Sequence, residues 1–249
     1  MKPKVLAVIP ARYGSTRFPG KVLTPIAGKP LIEHIYRDVE KSSAIDLVAV
    51  ATDSKEIRKA VEDFGGLAVM TSKRHRTGSD RVAEAAEVLG GNIIVNIQGD
   101  HLGVAPKDFT RVIKAMKADR KIKYASVAYG IKDSAEIDDP NRVKVVVGAD
   151  GYALWFSRYA IPFVRGATGK TRLAHFKFRT HVGVYFFRRA ALRAYAGWTR
   201  TPAEKAESLE QLRILEHGEK IKLFDIKSHI YSVDTPGDLK QIDSKRFLK

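Results

Sequence analysis

Val5-Leu6-Ala7-Val8-Ile9-Pro10-Ala11-Arg12-Tyr13-Gly14-Ser15-Thr16-Arg17-Phe18-Pro19-Gly20-Lys21 sets an aliphatic run against a loop of small residues and three cations. Val5 to Ile9 predicts a first, fully buried strand, and the loop opens at its carboxyl end, where open α/β sheets bind their ligands. Gly14 and Gly20 let backbone N–H groups approach an anion, while Arg12, Arg17 and Lys21 add positive charge. That combination suits a polyphosphate. It is not a Walker loop, because no Gly-Lys-Ser/Thr follows four free positions after a glycine. A basic surface loop is the alternative reading.

Outward from this stretch, strand and helix alternate. Pro30 suits a first helical position, and Leu31, Ile35 and Val39 repeat at i+4 down one face. Leu47 to Ala51 predicts a second strand. Ser54 caps a helix carrying Ile57 and Val61 that ends at Gly65-Gly66. Leu67 to Met70 is a third strand, and the segment after Thr77 is helical to Leu89, stopping at Gly90-Gly91. Ile93 to Ile97 is a buried strand ending at Gln98-Gly99-Asp100, and Pro106 to Met116 is helical. This order predicts a parallel sheet covered on both faces.

Between residues 124 and 187 the texture changes to strands of mixed sheet at Tyr124 to Tyr129, Val143 to Val147, Tyr152 to Phe156 and His181 to Phe187. This region is expected to form a smaller lobe that closes over a second substrate and supplies a subunit contact. The basic loop Val164 to Phe178 is expected to be mobile. Pro202 to Glu216 predicts one helix with Leu209, Leu212 and Leu215 in its buried stripe, Ile221 to Ile226 a strand, and Thr235-Pro236 the start of a terminal helix. The organisation is a single domain over residues 1–249, with its nucleotide-binding core at about 1–120 and 200–249 and the lobe at about 121–199.

The chain has 249 residues, 44% of them hydrophobic, enough for a large core. It has no cysteine, which excludes disulfides, thiolate zinc sites and a cysteine nucleophile. The apolar segment Val5 to Ile9 is ended by Pro10, too short for a signal peptide or a membrane span, so a cytoplasmic protein is expected. The 44 Lys+Arg against 28 Asp+Glu give +16. They are spread over nearly every element, without an RNA-binding signature, which reads as a solvated basic surface.

Asp100, placed after a buried strand by Gly99, and Asp234, in Val233-Asp234-Thr235-Pro236, are the two carboxylates to pair. Magnesium takes one or two carboxylates and completes its shell with phosphate oxygens and water. Asp234 also reads as a helix N-terminal residue, and Asp53, in Ala51-Thr52-Asp53, as a cap. Thr77-Gly78-Ser79-Asp80-Arg81 suits the reading of a base edge or ribose, or is simply a capping box. His181 and Tyr185 lie on one face of a strand and could hold a polyhydroxy acid, or serve as ordinary core residues. Glu210 and Gln211 lie beside the apolar stripe of their helix, where surface residues are the default.

Together these blocks resemble the CMP-Kdo synthetases, the 3-deoxy-manno-octulosonate cytidylyltransferases. The resemblance runs along essentially the whole chain, from the opening Ile9 to Lys21 through Ala51-Thr52-Asp53, His75 with Thr77 to Arg81, and Asn96-Ile97-Gln98-Gly99-Asp100. It continues through Val143-Lys144-Val145-Val146, Phe156-Ser157-Arg158, Ile161-Pro162, His181-Val182-Gly183-Val184-Tyr185, Glu207 to Arg213 and Val233 to Pro236. After Asp100 the family normally continues Glu-Pro, whereas here His101-Leu102-Gly103 follows, and Gly237 replaces an acidic residue.

The resemblance implies a nucleotidyltransferase α/β fold, Rossmann-like, with a mixed, mostly parallel sheet flanked by helices and a smaller sugar-binding and dimerisation lobe. It also implies a homodimer, CTP with Mg²⁺, and attack by the anomeric hydroxyl of Kdo on the α-phosphorus of CTP, giving CMP-Kdo and pyrophosphate for lipopolysaccharide or capsule. By that resemblance Arg12, Arg17 and Lys21 neutralise the triphosphate and act catalytically with Asp100, and Asp100 and Asp234 hold magnesium. Gln98, His181, Tyr185, Glu210 and Gln211 line the sugar-acid pocket. The nucleotide pocket takes Pro10, Ala11, Arg12, Gly14, Ser15, Lys21, Asp53, Thr77, Gly78 and Arg81. Two alternatives stand beside it: the same reaction on a modified acid such as 8-amino-Kdo or a nonulosonic acid, and an impaired homologue that binds anions or nucleic acid.

Overall fold

The computed structural model describes residues 4–14, 18–75, 77–228, 231–233 and 237. The first half contains β1 (Val5–Ala11), the short pair β2 (Pro25–Ile26) and β3 (Lys29–Pro30), α1 (Leu31–Glu40), β4 (Leu47–Thr52), α2 (Lys55–Asp63), β5 (Ala68–Met70), α3 (Gly78–Leu89), β6 (Ile93–Ile97), β7 (His101–Leu102) and α4 (Pro106–Ala118). Every residue of β1 is buried, because parallel strands pair β1 on both sides, with β4 and with β6, and helices cover both faces. Along β1 the side chains alternate between two cores. Val5, Ala7 and Ile9 join α1, α2 and α4; Leu6 and Val8 join α3 and the helices of the second half.

The second half adds β8 (Tyr124–Gly130), α5 (Ala135–Asp138), β9 (Lys144–Val147), β10 (Ala153–Ser157), α6 (Arg172–His175), β11 (Arg179–Arg188), α7 (Arg189–Gly197), α8 (Pro202–Glu207), α9 (Leu212–Glu216), β12 (Ile221–Asp225) and β13 (Tyr231–Ser232). All of these strands except β13, which pairs with β7 in a separate two-stranded sheet, continue the same sheet. β11 runs antiparallel to β6 on one side and to β8 on the other, β12 lies parallel to β8, and the β9/β10 ladder reaches β11 at Thr180 opposite Lys144. The fold is therefore α/β with a mixed, mostly parallel sheet, as expected. Among the described residues no helix is long and apolar enough to cross a membrane.

Local signals place the early helices closely. Ser54 Oγ accepts the Ile57 N–H at the start of α2, and Thr77 with Asp80 forms a reciprocal capping box on α3. Pro30 is the residue before α1 rather than its first member. The loop from Val164 to Phe178 carries a 3₁₀ turn and α6, and Arg172 bonds both oxygens of Asp138.

The single helix expected over Pro202 to Glu216 is instead two. Ser208 takes a left-handed conformation, φ 52°, which ends α8, and Leu209 to Gln211 turn inward before α9 begins. A buried ion pair fastens the two pieces, with Arg213 Nε and Nη2 on the carboxylate of Glu204 at 2.8 and 2.6 Å. The apolar stripe shifts accordingly: Leu209, Leu212 and Ile214 are buried, and Leu215 is only half-buried. The expected terminal helix at Thr235-Pro236 lies outside the described residues.

Candidate active site

The carboxyl ends of β1 and β6 meet the N-terminus of α3 at one edge of the sheet. A Cβ on Gly78 would lie 3.2 Å from Pro10 Cγ and 3.5 Å from Gln98 Oε1, so a glycine lets the helix start close to both strand ends. Pro10 and Ala11 close β1, and Arg12 follows half-buried, its Nη2 without a hydrogen-bond partner among the described residues. Burial and then Arg81 lower the Arg12 pKa, against the pull of Asp53, Asp80 and Glu210. Gly14 is exposed; Ser15 and Arg17 lie outside the described residues. The loop is closed by the Gly20 N–H donating to the Tyr13 carbonyl, with Gly20 at φ 68° and the Tyr13 ring against it. The turn that follows aims Lys21 Nζ at Asp100 Oδ2, 2.5 Å away.

Two of the residues expected at the nucleotide are spent elsewhere. Arg81 is fully buried and donates to Asp53 Oδ2 at 2.7 Å and to Thr71, so its charge fastens α3 to the ends of β4 and β5. Asp53 borders a separate hollow of about 410 Å³ shared with Tyr13, Lys55 and Lys73. Thr77 and Gly78, by contrast, open onto the main cavity.

That cavity, about 510 Å³, brings together Gln98, Asp100, His181, Tyr185, Glu210 and Gln211 from three regions of the chain. A bulge in β11 between Val182 and Tyr185 adds two residues, an even number, so His181 and Tyr185 keep the same face and their rings sit 5.3 Å apart. Ser126 Oγ gives its proton to the Val184 carbonyl at 2.7 Å and receives a hydrogen bond from His181 Nε2 at 2.8 Å. This fixes the tautomer and leaves Nδ1 as an acceptor. Burial, and then the charge of His101, push the His181 pKa down to about 3, so the ring is neutral. Tyr185 donates to Gln211 Oε1 at 3.0 Å, while Gln211 Nε2 is buried with no partner among the described residues. Burial raises the Glu210 carboxyl, against a hydrogen bond from Ser79.

Further cavity residues had no role in the sequence reading. Arg158 lies in a stretch quoted for the resemblance without a function. Its guanidinium donates to the carbonyls of Glu207 at 2.7 Å and Pro140 at 3.0 Å and forms no ion pair among the described residues, so its charge stands uncompensated on the wall. Asn141, His101, Arg200 and Glu204 also face the cavity, and Arg200 pairs with Glu204 at 3.2 Å. Arg200 stands four residues before Glu204, a local pairing signal that carries no information about the cavity.

Asp100 fits a hard cation. Its Oδ1 is buried and without a hydrogen-bond partner, although His101 Nδ1 stands 3.4 Å away. Burial opposes ionisation, yet the charges of His101 and Lys21 outweigh it and hold the Asp100 pKa below the usual carboxylate range. An anionic oxygen without a hydrogen-bond partner matches what magnesium takes from a protein. Asp234 lies outside the described residues; its neighbour Val233 donates its N–H to the Asp100 carbonyl at 3.0 Å. Among the described residues no cluster of three His, Cys, Asp or Glu could hold a metal on its own.

The comparisons agree with this arrangement. The cytidylyltransferase family model matches residues 6–221. The chain is 43% identical over 244 residues to 3-deoxy-manno-octulosonate cytidylyltransferase of Geotalea uraniireducens, covering 96% of this chain and 97% of the relative. It is 42% identical over 241 residues to the protein of that name from Idiomarina loihiensis, covering 94% and 95%. A solved structure of CMP:2-keto-3-deoxy-manno-octonic acid synthetase complexed with CTP superposes with a TM-score of 0.90 at 37% identity, covering 98% of this chain and 99% of that one. A glucose-1-phosphate thymidylyltransferase from Bacillus anthracis, described as putative, shares the fold alone, with a TM-score of 0.67 at 13% identity and coverage of 98% and 94%. With the family match, the near full-length identity and the superposed fold all in agreement, the chain belongs to the cytidylyltransferase family, among the 3-deoxy-manno-octulosonate cytidylyltransferases.

Proposed function

We propose that this protein transfers the cytidylyl group of CTP to the anomeric hydroxyl of 3-deoxy-manno-octulosonate. The hydroxyl oxygen attacks the α-phosphorus, the bond from that phosphorus to the bridging oxygen of the β-phosphate breaks, and pyrophosphate leaves. The observation that carries this reading is the pairing of Lys21 with Asp100, whose carboxylate stands on the wall of a polar cavity of about 510 Å³. Arg12 and Lys21, with Arg17, neutralise the triphosphate, since such transfers rest on positioning and charge stabilisation. Pro10, Ala11, Gly14, Ser15, Thr77 and Gly78 form the nucleotide pocket.

Neutral His181, Tyr185, Gln98, Glu210 and Gln211 take the sugar hydroxyls, and Arg158 takes the carboxylate. Asp100 with Asp234 would hold Mg²⁺, which when bound screens the phosphates and acidifies an oxygen it contacts. CTP as donor places the reaction in the cytoplasm. A homodimer forms through Leu154, Trp155, Tyr159 and Phe163, large hydrophobic side chains that stand exposed, Tyr159 and Phe163 at 79% and 88%. The test is pyrophosphate release with CTP, Mg²⁺ and 3-deoxy-manno-octulosonate, with a nonulosonic acid in parallel. Release that depends on the octulosonate supports the reading. Silence with it, or release only with the nonulosonic acid, overturns it.

A further inference from the structure

His101 faces the cavity beside Asp100, and the scheme above gives it no role. Its direction is set by the backbone. β7 pairs antiparallel with β13, Leu102 opposite Tyr231 and His101 opposite Ser232, and successive side chains of a strand face opposite ways. Leu102 enters the core, so His101 turns to the cavity. The His101 N–H donates to the Gln98 carbonyl at 3.2 Å, which fixes the turn from β6.

The ring is wedged between reacting and binding groups. Nδ1 is buried 3.4 Å from Asp100 Oδ1 without hydrogen-bonding geometry, and neither ring nitrogen has a hydrogen-bond partner among the described residues. On its other side, a Cβ placed on Gly183 would come within 3.0 Å of His101 Cε1 and 3.2 Å of Gln98 Cγ. The β11 bulge thus leaves its side-chain space to the imidazole. A buried nitrogen that makes no hydrogen bond, even beside a carboxylate, costs stability unless a ligand satisfies it.

We infer that His101 is a specificity-determining residue of the acceptor site, its imidazole hydrogen-bonding a polar substituent of the acidic sugar close to the attacking hydroxyl. The inference rests on the proposed reaction and assigns part of its substrate recognition. A site built to pair a substrate hydroxyl discriminates strongly against an acceptor that lacks it, because its own polar group is then left unpaired.

The experiment measures steady-state kinetics with CTP, Mg²⁺ and 3-deoxy-manno-octulosonate, together with analogues of that acid each missing one ring or side-chain hydroxyl. Wild type comes first, and no turnover with the parent acid overturns the proposed function, and this inference with it. With turnover in hand, His101→Ala is expected to raise the KM for the acid by about tenfold or more while leaving the KM for CTP within about twofold. The analogue that wild type penalises most is expected to lose that penalty in the variant, as coupled partners do. His101→Gln, which keeps a polar group, recovers part of the discrimination. Gly183→Ala, which displaces the ring without removing it, weakens the same analogue preference and serves where His101→Ala does not fold. An unchanged order of analogues in all three variants, or an equal loss with every acceptor through kcat alone, overturns the assignment to the acceptor while the proposed reaction stands.

Discussion

Lys21 Nζ rests on Asp100 Oδ2 at 2.5 Å and leaves Oδ1 without a hydrogen bond, so one carboxylate joins the loop after β1 to the end of β6 and keeps an anionic oxygen unbonded. Replacing that oxygen separates chemistry from folding. Asp100→Asn is expected to lower kcat by about 10²-fold or more and to abolish the response to added Mg²⁺, with a melting temperature near that of wild type. Magnesium-stimulated turnover in the variant at wild-type level refutes the role. Asp234→Asn is expected to behave alike.

His181 is buried as a neutral ring with a pKa near 3, against 6.5 in an open chain. Between these values the unfolded chain binds the extra proton, so stability falls as pH drops from about 6.5 towards 3, by about 1.4 kcal/mol per unit for one such group. Replacing His181 with Asn is expected to reduce that slope in urea unfolding measured at pH 6, 5 and 4. An identical slope in the variant shows that His181 does not stay neutral.

Glu204 and Arg213 form a buried pair that joins α8 to α9. Burial works against the Glu204 carboxylate, but hydrogen bonds from Arg213 hold its pKa below the ordinary 4.5. Its contribution is therefore complete above about pH 4.5 and is lost as acid titrates the folded carboxylate. Arg213→Ala removes the two short bonds of this pair, leaves the buried acid only the longer contact with Arg200, and is expected to cost about 3 kcal/mol. Calorimetry checks this at pH 7, and a loss below about 1 kcal/mol contradicts the pairing.

The apolar face at Phe163 predicts an assembly. Phe163→Glu is expected to halve the mass seen by sedimentation velocity while leaving the circular dichroism spectrum unchanged. A wild-type protein that sediments as a monomer removes the prediction.

Much of the nucleotide half was legible along the chain because its signals are local. The β1 run and its loop, the Ser54 and Thr77 caps, and Ile93 to Ile97 before Gln98-Gly99-Asp100 each declare themselves within a few residues. The resemblance named the sugar-pocket residues without explaining how they reach one cavity. Read by periodicity, Glu210 and Gln211 belong to the surface of a helix. They face inward because Ser208 breaks that helix and Arg213 locks Glu204 across the gap.

The α/β order and the helix caps follow from the chain's local chemistry, since strand burial and capping depend on side chains adjacent in the chain. Tertiary structure alone decided that Arg81 and Asp53 serve each other, that Arg158 stands uncompensated on the cavity wall, and that His101 occupies the space Gly183 leaves. Those outcomes depend on pairings between residues tens of positions apart, and a charge or ring finds its partner only when the sheet has brought both to the same edge.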